Sequence, residues 1–143
     1  MTVKYNADQK VPRPVCWAVL DRSAIRYWEG VKEKKLELQR CKSCGTYLHP
    51  PRPMCGNCQS MEFEWVPASG KGTVYSHATY RQGDNPAFEA PYAVVLVELE
   101  EGVRIVSNMT DCAPEDIKIG MPVELVLEEI AEDLTLPKFK KAG

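Results

Sequence analysis

The first regular pattern of hydrophobic and polar positions begins near residue 23. The segment SAIRYWEGVKEK carries apolar side chains at helical spacing, on Ala24, Tyr27, Trp28 and Val31. Residues at these intervals fall on one face of a helix, and either Asp21 or Ser23 is a suitable N-terminal cap. The pattern therefore predicts a short amphipathic helix.

The twenty residues before this helix show little periodicity and include Pro12 and Pro14. This favours an extended arm that lies on another surface. The segment lacks the apolar core of a signal peptide, and no stretch of the chain approaches the roughly 20 apolar residues that span a bilayer. We expect a cytoplasmic protein without a membrane partner.

Alternation with a period of two replaces the helical pattern from residue 35 onward. KLELQRC predicts a strand that leads into the first cysteine pair, and the remainder of the chain is rich in strand patterns. Five segments after Cys58 fit strands: MEFEWV, GTVYSHATYR, YAVVLVELE, VRIVSNM and MPVELVLEEI. Glu101 and Gly102 predict a hairpin, Pro114 predicts one helical turn, and LPKFKKAG is expected to form a tail.

About five strands with a short helical turn before the last fit an OB-type Greek-key barrel better than a sandwich, which needs about seven. The predicted fold is mainly β. We divide it into an N-terminal arm and amphipathic helix over 1–34, a zinc ribbon over 35–67, and a barrel with a C-terminal tail over 68–143. A length of 143 residues suits one main core.

Four cysteines form the most specific motif in the chain. Cys41 and Cys44, followed after ten residues by Cys55 and Cys58, bring four thiolates to the corners of a tetrahedron, the geometry that zinc accepts. Four sulfur ligands leave no open position for water or substrate, so the predicted single zinc ion is structural. Iron, which uses the same ligands in rubredoxin-like sites, is the alternative.

Other residues near this motif have more ordinary interpretations. Gly45 and Gly56 are expected to permit the tight turns of the two pairs. His49 lies between the pairs and is interpreted as a loop residue, since four thiolates are already available. Cys16 and Cys112 have no spaced partner and are interpreted as free thiols, which a reducing compartment preserves.

The chain carries no recognisable catalytic motif of its own. GxSxG, HExxH and the full phosphate-binding loop are missing, and SGKGTV precedes a strand rather than a helix. The formal net charge of -2 and the pI of about 5.7 provide no global positive field for nucleic acid. Independent catalysis and nucleic-acid binding are both disfavoured.

Several segments together resemble a known family. The aromatic pair Tyr27 and Trp28, the four cysteines with PPRP between them, the GKG turn and the APY before a barrel strand are similar to the DUF35 family. The resemblance covers about residues 22 to 139. It implies an N-terminal helix, a rubredoxin-like zinc ribbon and a C-terminal OB-fold.

The resemblance also implies a function. Members of this family are non-catalytic scaffold subunits of thiolases and thiolase-like aldolases that act on acyl-CoA, and the partner carries the catalytic residues. This chain is then expected to form a hetero-oligomer with such an enzyme, with a CoA thioester at the interface. The candidate contacts to the partner or to acyl-CoA are Tyr27, Trp28, Lys71, Arg81, Phe88, Lys138 and Phe139. Core packing is the favoured alternative for Tyr27 and Trp28, and a solvated surface charge for Lys71, Arg81 and Lys138.

Two other functions remain open on the sequence alone. OB barrels and zinc ribbons both recur in single-stranded nucleic-acid-binding modules, although this chain lacks a basic, aromatic-studded strand face. Iron in the cysteine site would instead make an electron carrier. Binding to single-stranded DNA or RNA and visible absorbance distinguish these alternatives.

Overall fold

The computed structural model describes residues 22–83, 89–132 and 134–143, which contain one helix and eight strands. The predicted arm and Phe88 lie outside these residues. The elements are α1 (Arg22–Lys32), β1 (Glu37–Cys41), β2 (Tyr47–Leu48), β3 (Phe63–Pro67), β4 (Lys71–Tyr80), β5 (Tyr92–Leu99), β6 (Arg104–Ser107), β7 (Pro122–Ala131) and β8 (Leu134–Lys141). A single 3-10 turn, Pro114–Asp116, precedes β7. No helix in the described ranges is long and apolar enough to cross a membrane.

The helix buries the face that its sequence pattern predicts. Val31 is fully buried and Tyr27 nearly so, while Trp28 is half-buried against the same core. The rings of Tyr27 and Trp28 meet edge to face, with centroids 5.2 Å apart and planes at 86°. On the adjacent side, the Arg26 guanidinium lies 2.6 Å from the Glu37 carboxylate and fastens α1 to β1.

The ribbon is a small antiparallel sheet in the order β2-β1-β3. Strand β3 pairs with β1 over five residues, from Glu37 opposite Pro67 to Cys41 opposite Phe63. This pairing brings the first cysteine pair beside the segment that follows the second pair. The ribbon sheet therefore positions the two halves of the cysteine cluster.

The second sheet, in the order β6-β5-β4-β7-β8, curls into a nearly closed OB-type barrel. Closure comes from a parallel bridge between Met109, just after β6, and Phe139 of β8. The Phe139 amide donates to the Asn108 carbonyl at 3.0 Å, and its carbonyl accepts from the Thr110 amide at 2.9 Å. The predicted fold class is confirmed.

One strand of the barrel differs from the prediction. The segment MEFEWV supplies β3 of the ribbon, and the fifth barrel strand is β8, formed by the residues expected to be a tail. The sequence pattern does not predict a strand here, because Pro137 lacks an amide donor and proline is uncommon inside strands. In the structure Pro137 lies opposite Leu127 of β7, and its carbonyl accepts a hydrogen bond from Ser107 Oγ at 2.6 Å.

The larger of two hydrophobic clusters joins the helix, the ribbon and the barrel. The inward residues of β5, such as Val95 and Val97, pack in the same cluster as Leu38 of β1 and Val31 of α1. Burial of this shared apolar surface fixes the three parts to one another. The ribbon is therefore held rigidly against the barrel.

Candidate metal centre and partner-binding surfaces

The four cysteine sulfur atoms converge on one point. All lie within 4.8 Å of one another; Cys41 Sγ is 3.5 Å from Cys58 Sγ, and Cys44 Sγ is 3.7 Å from Cys55 Sγ. A tetrahedral ion with metal–sulfur bonds of about 2.3 Å requires sulfur–sulfur edges of about 3.8 Å. The donor set and its spacing therefore fit one tetrahedral metal ion. Within the described residues, this is the one group of three or more His, Cys, Asp or Glu side chains with converging ligand atoms.

The two cysteine pairs sit in turns that repeat the same backbone pattern. In each turn the amide of the first cysteine donates to the carbonyl five residues later, and the amide four residues later donates back to that cysteine's carbonyl. All four bonds are 2.9 Å long: Cys41 N to Thr46 O, Gly45 N to Cys41 O, Cys55 N to Ser60 O, and Gln59 N to Cys55 O. Each turn thus presents its two sulfur atoms from a fixed backbone frame.

A left-handed residue closes each turn. Gly45 has a φ of +73°, as glycine permits, and the equivalent position in the second turn is Gln59 with a φ of +62°. The expectation that Gly56 would play this part is wrong. The second turn places Gly56 directly after its cysteine, three residues before the position that needs the left-handed conformation.

The electrostatics of the cluster favour a cation among the sulfur atoms. Hydrogen bonds from the Thr46 hydroxyl and amide lower the pKa of Cys44 to about 5. The backbone amide of Cys44 lowers the pKa of Cys41. At Cys58 the Ser60 amide favours the thiolate, but the neighbouring sulfur atoms and burial oppose another negative charge and raise the pKa to about 12. A divalent ion offsets the repulsion between the negative charges, so that all four cysteines can bind it as thiolates.

The proline-rich loop between the pairs is held by one side chain that the sequence pattern did not single out. Gln39, 3% exposed on β1, donates through Nε2 to the Arg52 carbonyl and accepts from the Arg52 amide, both at 2.8 Å. This two-point contact satisfies a buried amide and fixes the loop in the way that a strand partner would. In the sequence, the alternation along β1 identifies Gln39 only as a polar position, so its contact with the loop could not be predicted.

His49 is not part of the cluster and packs against the helix. Its ring centroid is 5.2 Å from that of Tyr27, in agreement with its interpretation as a loop residue rather than a ligand. Burial lowers the pKa of His49 to about 4. The Nδ1 atom is buried without a hydrogen-bond partner among the described residues.

The buried imidazole of His49 predicts a specific pH dependence of stability. The unfolded chain takes up a proton near the ordinary histidine pKa of about 6.5, whereas the folded chain does so only near pH 4. The free energy of unfolding is therefore at its full value above about pH 6.5, and it falls by about 3 kcal/mol as the pH is lowered toward 4. Urea unfolding at pH 7 and at pH 4.5 measures this loss. His49→Phe, which keeps a ring against Tyr27, should lose less stability over the same interval, and an equal loss in both proteins would contradict the assignment.

Three of the predicted contact residues are buried. Phe139 is fully buried in the barrel core and Tyr27 is 5% exposed, so both have structural roles and the prediction of a surface contact is withdrawn for them. Lys138 is 2% exposed, and its Nζ lies 3.3 Å from Glu128 Oε2. The interpretation of Lys138 as a solvated charge is therefore wrong. The segment was expected to form a tail, but it forms β8, which contacts α1.

The other predicted contacts remain accessible where the structure describes them. Lys71 and Arg81 are exposed, and Lys71 lines a groove of about 550 Å³ between the ribbon and the barrel. Trp28 lines a second groove of about 350 Å³. The remaining walls of that groove come mainly from β5, β6 and β8: Tyr92, Val94, Val106, Ser107, Asn108, Leu136, Pro137 and Lys138.

Comparison with known proteins agrees with this architecture. A family model described as the ChsH2 rubredoxin-like zinc ribbon domain matches residues 28–64, and the ChsH2 C-terminal OB-fold domain matches residues 65–128. A DUF35 domain-containing scaffold protein of Methanocaldococcus jannaschii is 43% identical over 117 residues, which cover 79% of this chain and 82% of that protein. The chain belongs to the DUF35 family.

Relatives in the family include subunits of enzymes. A probable enoyl-CoA hydratase alpha subunit of Thermomonospora curvata is 44% identical over 131 residues, 92% of this chain but 40% of that protein. The DUF35 chain thus spans less than half the length of this relative. The benzoylsuccinyl-CoA thiolase subunit BbsA of Geobacter metallireducens is 40% identical over 107 residues, 71% of each chain.

A solved structure described as the Ltp2-ChsH2(DUF35) aldolase contains a similar chain. The TM-score is 0.82 at 44% identity, over 86% of this chain and 97% of that one. The similarity therefore extends across the helix, the ribbon and the barrel together.

Proposed function

We propose that this chain is a scaffold subunit of a thiolase-type or aldolase enzyme that acts on CoA thioesters. Carbon–carbon bond cleavage or formation takes place in the partner chain. The observation that carries the proposal is the match over 97% of the DUF35 chain in the Ltp2-ChsH2 aldolase. The thiolase subunit BbsA, at 40% identity, extends the same role to thiolases.

We infer that the metal is a single zinc ion with a structural role. Four thiolates at tetrahedral spacing satisfy zinc completely, so the ion supplies cross-linking rather than Lewis-acid chemistry. Cys41, Cys44, Cys55 and Cys58 would hold the ion, and the repeated turns fix its position. Metal analysis and the visible spectrum of the purified protein distinguish zinc from iron, which absorbs strongly in such a site.

The Trp28 groove is the surface that we propose for the partner. Apolar side chains from α1, β5, β6 and β8 meet there, and Val106 on its wall is 68% exposed. A large exposed aliphatic side chain beside a half-buried tryptophan is typical of a surface that a second protein covers. Lys71 and Arg81 remain the candidates for contacts to CoA phosphates.

Tandem expression with a thiolase-type protein from the same organism tests the proposal. Affinity purification of either protein should recover both. Val106→Glu places a charge in the groove and should weaken the complex at least tenfold, since a desolvated, unpaired carboxylate is costly. Ile119→Glu is a matched control at a side chain that is 71% exposed and outside the groove. Failure to recover any complex with the unmodified chain would contradict the scaffold role.

A further inference from the structure

Among the described residues, strand β4 is paired along only the first half of one of its edges. The first residues of the strand, Lys71 to Thr73, pair with β7. At the next residue, the Val74 amide donates to Met121 O at 2.9 Å, and the Val74 carbonyl accepts from Gly120 N at 2.8 Å. From Tyr75 to Thr79 no described residue pairs with this edge. The opposite edge continues to pair with β5 as far as Tyr80.

The unpaired edge lacks the usual protection against strand pairing. Natural proteins place lysine, proline or other charged residues on such edges. Residues 75–79 read YSHAT and contain no lysine, arginine, acid or proline, and the side chains from Tyr75 to Ala78 are exposed. By contrast, β8 carries Pro137 and three lysines. Among the residues that the structure describes, nothing pairs with this part of β4, which is therefore a template for another strand.

The register of β4 indicates which backbone groups point outward. Val74 directs its amide and carbonyl to this edge, and a bulge between Val74 and Ser76 inserts one residue into the ladder. Because backbone groups alternate between the two edges of a strand, the next residues to face this edge are His77 and Thr79. Ala78 lies between them with its backbone groups directed to β5.

We propose that this edge pairs with the same edge of a second copy of the chain. A two-fold axis perpendicular to the sheet at Ala78 sets His77 of each copy opposite Thr79 of the other and closes four backbone hydrogen bonds. Ala78 then faces Ala78 of the second copy in the narrow kind of pair, about 4.5 Å between Cα atoms, where its small side chain fits. The product is a continuous sheet in the order β6-β5-β4-β4-β5-β6.

A second copy suits this edge for an electrostatic reason. An isologous contact sets each surface against itself, so a charged edge repels its own copy, whereas residues 75–79 contain no lysine, arginine or acid to repel their counterparts. The Trp28 groove includes Tyr92 and Val94 of β5, and Val94 pairs with Ala78, whereas its exposed wall residue Val106 lies on β6, two strands from the edge. Self-pairing does not depend on the proposed function, and its backbone contacts do not involve β6.

Analytical ultracentrifugation of the full metal-loaded chain alone, over a range of concentrations, tests the proposal. The unmodified chain should show a monomer–dimer equilibrium. Ala78→Lys brings two ammonium groups together at the axis and should raise the dimer dissociation constant at least tenfold. Met61→Lys introduces the same charge on a side chain that is 73% exposed in the ribbon, and it should change the dissociation constant by less than about twofold.

A second variant tests the backbone contact itself. Thr79→Pro removes an amide directed to the open edge and leaves the ladder to β5 intact, as proline is tolerated there. It should also weaken the dimer, with an unchanged circular dichroism spectrum. A chain that stays monomeric at every concentration, or a dimer that Ala78→Lys leaves unaffected, would overturn self-pairing. A monomeric chain whose Ala78→Lys variant fails to bind the thiolase-type protein would equally overturn it, and would assign the edge to that partner.

Discussion

Replacing Cys55 by serine is expected to remove the metal ion and unfold the ribbon. Cys55 is fully buried, and the ribbon's own apolar cluster contains only Cys41, Leu48 and Cys55 as buried members, with Phe63 against them. Leu36 and Leu38 anchor β1 in the shared core, but so small a cluster is too little to hold the two cysteine turns together without the ion, whose binding supplies about 10 kcal/mol or more in comparable sites. Metal content after dialysis against a chelator and the thermal unfolding midpoint measure the effect.

Cys112→Ala is the matched control for this variant. Cys112 is also a buried thiol, 4% exposed, but it belongs to the barrel core and not to the cluster. Its replacement should cost about 1 kcal/mol and leave one metal ion per chain. A Cys55→Ser protein that keeps one equivalent of metal and an unchanged unfolding midpoint would contradict the structural role of the ion.

Gly72→Ala is expected to destabilise the barrel strongly. A Cβ atom at this position would lie 2.4 Å from the Glu98 carbonyl oxygen and 3.0 Å from a methyl group of Val97. Both contacts belong to β5, so the backbone of two paired strands must separate to admit one methyl group. We expect a loss of about 3 kcal/mol, which lowers the unfolding midpoint by about 10 °C.

Gly83→Ala separates this steric effect from the general effect of replacing glycine. No described residue lies within 4 Å of a Cβ atom at Gly83. The substitution should change stability by less than about 0.5 kcal/mol. Thermal unfolding of both variants measures the difference, and a Gly72→Ala protein as stable as Gly83→Ala would show that β4 and β5 are less closely packed than the structure indicates.

The barrel was predictable where β-branched and apolar residues run together between turn residues. Strand β5, YAVVLVEL, is such a run, and the hairpin at Glu101 and Gly102 is present. Strand β8 was missed because Pro137 and its lysines resemble a solvated tail. Its burial depends on α1 and β7, which lie far away in the sequence and are invisible to local periodicity.

The metal site was predictable from cysteine spacing, but its supports were not. Four cysteines in two CxxC pairs are typical of a metal site, because each pair presents two thiolates from one turn. The left-handed Gln59 and the loop-binding Gln39, by contrast, carry side chains that fit many environments. The burial of Lys138 likewise follows from packing beneath α1. Such roles depend on tertiary contacts rather than on residue type.

The central claim is that this chain supports an enzyme whose catalytic residues lie in another chain. The most direct test measures the rate at which the thiolase-type partner cleaves or forms a carbon–carbon bond in a CoA thioester, while this chain is added at increasing concentration. The account predicts low activity for each protein alone and a rise that saturates at a fixed ratio of the two chains, with Cys55→Ser unable to produce it. Full activity of the partner alone, unchanged by this chain, would contradict the account.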